Sequence, residues 1–282
     1  MILIKKATDL HKYIDAQRKD GKKIGFAPTM GALHAGHISL VDASKKENDI
    51  TVSSIFVNPT QFNDPKDFEK YPITLDKDIY LLEKAGCDIL FLPSVSEVYP
   101  PGFVKPHYDL GFLDTVLEGK FRPGHFQGVC MVVQRLLEMV EPDHLYLGQK
   151  DYQQCMVITK LVEIMGMKDK IRITISPTLR EDDGLAMSSR NMRLNNEERE
   201  RATAIFKALL YFKNNLKPGE LDTLMTDATQ QLSSRGFKVD YTAIANSGTL
   251  QLVNNWNGKE PLVALIAAYN NEVRLIDNML LN

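Results

Sequence analysis

The sequence predicts an α/β fold: a Rossmann-like doubly wound parallel sheet, followed by a second, smaller α+β domain. Three observations predict it. Up to Ser176, short β-branched runs alternate with segments of helical period, the order that gives parallel strands with right-handed crossovers. Polar clusters rich in Gly and Pro follow several of these runs at their C-terminal ends, where ligands bind in an open parallel sheet. Beyond Asn195 the alternation stops, and two helical segments are followed by three strand candidates.

Taken in order, Thr8–Asp9 offers a helix start, with Leu10, Tyr13 and Ile14 as its stripe and Gly21 near its end. Lys23 to Ala27 reads as the first buried strand, ended by Pro28, and Ile38 to Lys46 as the next helix. Asp49 to Val57 is a β-branched strand running into Asn58–Phe62. Thr74 opens a helix carrying Leu75, Ile79, Leu82 and Ala85 at helical spacing, and Asp88 to Leu92 is the third strand. Pro93 to Gly111 reads as irregular, and Glu118 to Phe126 as a basic loop. Val129, Val132, Val133, Leu136, Leu137 and Val140 mark a strong helix. A strand at His144 to Leu147, a helix at Tyr152 to Met165 and a strand at Lys170 to Ser176 complete the alternation. Arg180 to Met192 is a polar loop. Helices at about 196–215 and 221–234 precede strands at Phe237–Ala245, Pro261–Ala268 and Glu272–Leu280, the last two forming an antiparallel hairpin. The expected domains are 1–178 and 179–282, with the boundary in the 176–182 region.

A net charge of −2 argues against a broad nucleic-acid surface, which needs an excess of Lys and Arg. The three cysteines, Cys87, Cys130 and Cys155, are an odd number without a close pair, so neither a disulfide framework nor a Cys-based zinc site is expected. Each sits in an apolar run and reads as a buried small hydrophobe. No run approaches the roughly 20 apolar residues of a membrane span, and the start MILIKKATDLHKYID has no signal-peptide pattern. A cytoplasmic protein without membrane partners is expected.

The chemistry centres on Pro28-Thr29-Met30-Gly31-Ala32-Leu33-His34-Ala35-Gly36-His37. Gly31 and Gly36 permit a tight turn and close backbone approach to a ligand. A helix beginning near His34 would put its unpaired N–H groups and positive dipole end beside the turn, a ready anion site. His34 and His37, three apart, would share a face and aim two donors at one point, which suits a phosphate chain gaining charge. As zinc ligands they lack a third partner.

Other clusters follow strands. Asn58 and Gln61 are neutral amides able either to orient a small polar substrate or to cap their own turn. Lys150, after Gly148 and Gln149, can reach phosphates or stand in solvent. Ser188, Ser189 and Arg190 would suit a triphosphate clamp, or simply form a loop. Asp76 and Asp78 read as a solvated helix face, with indirect contact to Mg²⁺ as the alternative.

The long form of the His-x-Gly-His motif resembles the pantoate–β-alanine ligase (pantothenate synthetase) family of the nucleotidyltransferase superfamily. Phe56-Val57-Asn58-Pro59-Thr60-Gln61-Phe62, Gly148-Gln149-Lys150-Asp151-Tyr152-Gln153-Gln154, Met187-Ser188-Ser189-Arg190-Asn191 and the Arg122-Pro-x-His125-Phe126 loop resemble it too. So does Arg274–Asn278. Gln149 departs from the family's common glutamate, and Met187 from its common leucine.

The resemblance implies ATP-dependent condensation of pantoate with β-alanine through a pantoyl adenylate, releasing AMP and pyrophosphate. It implies His37, His34 and Lys150 as catalytic residues. It places ATP on Met30, Gly31, Ala32, Leu33, His34, Ala35, Gly36 and His37, on Gly148, Gln149, Lys150 and Asp151, and on Leu179, Met187, Ser188, Ser189 and Arg190. Gln61 and Gln154, with Asn58 and Arg122, would serve pantoate and β-alanine. The N-terminal domain would bind ATP and pantoate, and the C-terminal one would act as a lid. Mg²⁺ is expected to arrive with ATP, its protein ligands unknown, with no tightly bound organic cofactor and a homodimer. The rival readings are another nucleotidyltransferase, which would keep AMP in its product, and a nucleotide-binding module without turnover.

Overall fold

The computed structural model describes residues 1–63 and 65–282, which divide into two compact units. One comprises Met1–Gln149 and Gln153–Pro177; the other comprises Lys150–Tyr152 and Thr178–Asn282.

The first unit is a six-stranded parallel sheet flanked by helices. Its strands are β1 (Ile2–Ile4), β2 (Ile24–Thr29), β3 (Ile50–Ile55), β4 (Ile89–Phe91), β5 (His144–Gly148) and β6 (Arg172–Ser176). Their spatial order is β1-β4-β3-β2-β5-β6. The chain runs outward from β2 to one side, then returns to add β5 and β6 on the other. The order therefore reverses beside β2, and that switch point is where an open sheet leaves a crevice at its strand ends. The helices are α1 (Ala7–Lys19), α2 (Ala35–Glu47), α3 (Pro65–Glu69), α4 (Leu75–Lys84), α5 (Val95–Val98), α6 (Leu117–Phe121), α7 (His125–Val140) and α8 (Tyr152–Ile164). The apolar stripe of α7 packs with Phe26, Val52, Phe91 and Leu145 from the sheet, and α2 closes a second cluster with Ala27, Leu90 and Tyr146.

Three expectations need correction. β1 escaped the sequence reading because it is a three-residue edge strand with Ile2 and Leu3 exposed; it pairs in parallel with β4. Pro28 does not end its strand but lies inside β2, paired with Ser54. Ile24 O accepts from Asp143 N and Thr29 O from Phe56 N, so even-numbered residues of β2 face β5 and odd ones face β3. The β5 ladder covers only Gly25 and Phe26. Pro28 thus turns its missing N–H to a side where pairing has already stopped, which a proline tolerates. Finally, the basic stretch at Glu118–Phe126 is not an open loop but contains the end of α6 and the start of α7.

The second unit holds α9 (Asn196–Asn215), α10 (Asp222–Ser233) and a three-stranded antiparallel sheet of order β11-β10-β8. These strands are β8 (Phe237–Asn246), β10 (Leu262–Asn270) and β11 (Val273–Leu280); β7 (Gly219–Glu220) and β9 (Asn255–Trp256) form a small pair of their own. Asn195 caps α9 by accepting from Glu198 N while Asn195 N donates back to the Glu198 carboxylate, a reciprocal box that fixes the helix start. Ile205, Leu209 and Phe212 of α9 pack on Ile244, Ala264 and Ile266. The β10–β11 hairpin is paired up to Asn270 and Val273, so its loop is Asn271–Glu272, with Asn271 left-handed at φ 53°.

Candidate active site

β2 delivers the signature turn. Gly31 and Ala32 are both left-handed, at φ 83° and 50°, and a Cβ on Gly31 would lie 3.1 Å from both Asp78 Oδ2 and Ile55 Cγ2. Only glycine meets both demands. The turn is gripped from beneath. Gly31 N donates to Thr29 Oγ1 (3.2 Å), Ala32 N to Asp78 Oδ2 (2.9 Å) and Leu33 N to Asp78 Oδ1 (2.8 Å). Asp78 is 1% exposed and also accepts from Thr74 Oγ1. This corrects the expectation of a solvated face: Asp76 is exposed, but Asp78 lies one helical turn from Leu82 on the inner side of α4.

His34 is the N-cap of α2, and its ring lies 4.0 Å from that of His37. His34 N donates to His37 Nδ1 at 3.4 Å. A neutral His37 therefore carries its proton on Nε2, as a donor. His37 N and Ile38 N both donate to His34 O. Among the described residues, the amides of Ala35 and Gly36 have no protein acceptor, and they sit at the positive end of the α2 dipole. Ala35 N and Gly36 N are left to face an anion at the helix mouth, and Met30 N, ahead of the turn, likewise has no protein acceptor among the described residues.

β3 delivers the second turn, a 3₁₀ turn at Pro59–Gln61. Asn58 is 1% exposed, and its side chain is fully engaged. Its Oδ1 accepts from Thr60 N, Thr60 Oγ1 and Tyr99 Oη; its Nδ2 donates to Gly128 O (3.1 Å) and Gln61 Oε1 (3.2 Å). With both amide protons taken, Asn58 fixes Gln61 instead of facing a substrate. Gln61 Nε2 in turn donates to Met30 Sδ (3.1 Å), which joins this turn to the signature.

The first turn of α7 seats the same element. His125 Nδ1 donates to Gln61 O (2.8 Å), and His125 N to Arg122 O (3.0 Å). His125 is buried, so it supports Gln61 from behind and does not line an opening. Arg122 is half-buried, its guanidinium 3.4 Å from the buried Glu118 carboxylate. A Cβ on Gly128 would fall 2.3 Å from Thr60 O, so this helix position must be bare for α7 and the turn to meet. β5 ends at Gly148, followed by Gln149; Gln154 is half-buried on α8.

The remaining expected residues lie in the second unit. Lys150 O accepts from Asn278 Nδ2 (2.9 Å), and the Lys150 ammonium is 4.0 Å from Asp151. The polar loop is folded back on itself: Met187 N donates to Leu179 O (3.0 Å), bringing Leu179 beside the Met187–Arg190 run. Ser188 Oγ accepts from Arg190 N, capping a 3₁₀ turn at Ser189–Arg193. Arg180 anchors the loop by a two-point bond to Asp277 (2.6 and 3.1 Å), with further bonds to Gly184 O and Asn278 O, and it lies over the Phe206 ring. Burial raises the Asp277 carboxyl, and the Arg180 guanidinium opposes that rise.

Sequence reasoning placed Asp78 on a solvated face and missed Tyr99 and Gly128. Of these, only Gly128 left a signal, as an isolated glycine in a helical stripe. Among the described residues, no group of three or more His, Cys, Asp or Glu could hold a metal ion.

The family model for pantoate-beta-alanine ligase matches residues 2–280. The pantothenate synthetase of Bacteroides thetaiotaomicron is 45% identical over 282 residues, covering 99% of this chain and 98% of its own. That of Acetivibrio thermocellus is 44% identical over 285 residues, covering 99% of each. The crystal structure of pantothenate synthetase from Thermus thermophilus superposes with a TM-score of 0.88 at 38% identity, over 99% of both chains. A pantoate-beta-alanine ligase from Francisella tularensis, complexed with beta-gamma ATP and beta-alanine, gives 0.81 at 40% identity, over 99% of this chain and 97% of that one. With a match from the second residue almost to the last, and a solved relative superposing over 99% of both chains, the chain belongs to the pantoate–β-alanine ligase family.

Proposed function

We propose that the protein condenses pantoate with β-alanine at the expense of ATP, through a pantoyl adenylate. The observation that carries this reading is the Gln61–Met30 contact, 3.1 Å long, which holds an amide suited to a small hydroxy acid directly against the histidine turn suited to phosphates. Adenylation needs that juxtaposition: a carboxylate must lie in line with the α-phosphate, and much of the rate comes from holding it there.

In the first step a pantoate carboxylate oxygen attacks the α-phosphorus, and pyrophosphate leaves with the electrons of the broken P–O bond. His37, donating from Nε2, and His34 stabilise the charge that develops on the phosphates, together with Lys150. The amides of Ala35 and Gly36, and the run Leu179, Met187, Ser188, Ser189 and Arg190, complete the ATP contacts, with Gly148, Gln149 and Asp151. Gln61, Gln154 and Arg122 bind the acid and amine substrates, while Asn58 acts through Gln61. In the second step the β-alanine amine attacks the acyl carbon and AMP leaves, giving the amide.

The described residues form no metal cage. Mg²⁺ belongs to this reading as the counter-ion of ATP. The reading extends to residues 1–178 as the ATP- and pantoate-binding domain, 179–282 as a lid, a homodimer and a cytoplasmic location. It includes no nucleic-acid or membrane partner. Among the described residues no helix is long and apolar enough to cross a membrane.

The test is pyrophosphate release from MgATP with pantoate, before and after adding β-alanine. About one equivalent with pantoate alone, then sustained turnover yielding AMP and pantothenate together, is the expected result. A folded protein that binds ATP but releases nothing in either condition would refute it. AMP retained in the product would point to a different nucleotidyltransferase.

A further inference from the structure

We propose that Asp78 is a positioning residue for the His34–His37 pair: its carboxylate fixes the turn that aims both rings and removes two amides from the phosphate-binding set. The proposal rests on the reading of this turn as the ATP site.

A turn that points successive N–H groups to one side can hold an anion. The left-handed turn at Gly31–Ala32 does so with Ala32 N and Leu33 N, which converge on one carboxylate. Here the anion comes from the protein. Asp78 Oδ2 takes Ala32 N and Oδ1 takes Leu33 N, the two amides immediately before His34. Thr74 Oγ1 supplies a third donor from the start of α4, and burial of the carboxylate keeps water from competing. Because this turn is filled from beneath, phosphates are left the mouth of α2, where Ala35 N and Gly36 N lie beside the two adjacent, mutually tilted imidazoles. Asp78 thus decides which donors ATP meets, although it lies 46 residues from Ala32 in the chain.

Asp78→Asn is the informative variant. The amide keeps the shape and one acceptor, but turns an NH₂ against one of the two backbone N–H groups. In the pantoate-dependent pyrophosphate assay, the expected result is at least a thirtyfold loss of kcat with the pantoate KM within threefold. Spectra of ¹⁵N-histidine-labelled protein should show shifted His34 and His37 ring nitrogens in a folded chain. Gly31→Ala, which presses a methyl group on Asp78 Oδ2 at a left-handed position, should give the same pattern. Near-wild-type kcat with unchanged histidine spectra would overturn the proposal, as would a loss matching only the fraction of unfolded protein. If D78N does not fold, wild-type turnover in G31A overturns it. Should the wild type itself release no pantoate-dependent pyrophosphate, the functional reading falls. The histidine spectra of D78N with and without ATP then decide the positioning role, and unchanged spectra reject it.

Discussion

Replacing Gly128 by alanine tests whether α7 sets the position of Gln61. The added Cβ would lie 2.3 Å from Thr60 O, 2.7 Å from Thr60 C and 2.9 Å from Gln61 Cα. A relaxed C···O contact needs about 1 Å more than the first of these distances. The helix cannot easily yield, because Phe126, Val129 and Cys130 around this turn are all buried in the main core. The 58–61 turn must therefore withdraw, and its ties to Gly128 O and His125 Nδ1 stretch. A misplacement of about 1 Å in a positioning group costs about 100-fold in rate, or about 2.7 kcal/mol of transition-state stabilisation. Overpacking adds a loss of about 1–3 kcal/mol in stability. Initial-rate pyrophosphate release should show kcat/KM for pantoate about 100-fold down, while the ATP dissociation constant, read by calorimetry, stays within threefold. A folded G128A protein with pantoate kcat/KM within threefold of wild type would refute the coupling between α7 and Gln61.

Other substitutions probe separate links. His37→Ala should lower adenylate formation at least tenfold without unfolding the chain, and unchanged turnover would remove His37 from the mechanism. Asn278→Ala deletes the donor to Lys150 O and should lower kcat/KM for ATP by about tenfold, the roughly 1.4 kcal/mol of one buried hydrogen bond; an unaltered value would show that Lys150 is held by other means. Burial pushes the Cys87 and Cys130 thiols up to about 12, so at pH 8 both remain protonated. An aromatic disulfide reagent should leave them unmodified in the native protein and react with them in denaturant; rapid native labelling at either position would contradict their burial. Arg180→Ala leaves the buried Asp277 carboxylate without its partner, at a cost of about 3–5 kcal/mol when ionised. Burial already raises Asp277 in the folded state, and losing Arg180 raises it further, so protonation relieves the penalty at low pH. Urea unfolding should show a larger destabilisation at pH 8 than at pH 5, and the reverse order would exclude this account.

The sheet was largely legible because its signals are local. A period of two or of 3.6 is read within a dozen residues, and β2 to β6 lie close to their expected spans. The exceptions have identifiable causes. β1 is too short to show a period, and it is a strand only because β4 lies beside it. Pro28 carries a breaker's local signal, overridden by the direction its missing N–H faces. The short helices α3, α5 and α6 have too few turns to display a stripe.

Side chains with distant partners were illegible for the same reason. Asp78 sits in an acidic stretch, Leu75-Asp76-Lys77-Asp78, that reads equally well as a solvated face, and nothing nearby distinguishes its two carboxylates. What separates them is a partner 46 residues upstream: the left-handed turn at Gly31–Ala32 presents two amides where Asp78 lies, and none where Asp76 lies. Asn58 shows the converse. Its position after a strand suits a substrate ligand, yet Tyr99 and Gly128, 41 and 70 residues away, use up its bonding capacity. A polar residue at the end of a parallel strand is therefore ambiguous between touching a ligand and holding the residue that does. Burial resolves the ambiguity physically, since a buried amide or carboxylate must find its partners within the protein. In this chain that argument divides the polar groups around the histidine turn into a gripping set, Thr29, Asp78, Asn58 and His125, and a half-buried set, His34, His37 and Gln61, which the gripping set aims. Substitutions in the first set should disturb geometry before chemistry, and those in the second should disturb chemistry in an intact frame.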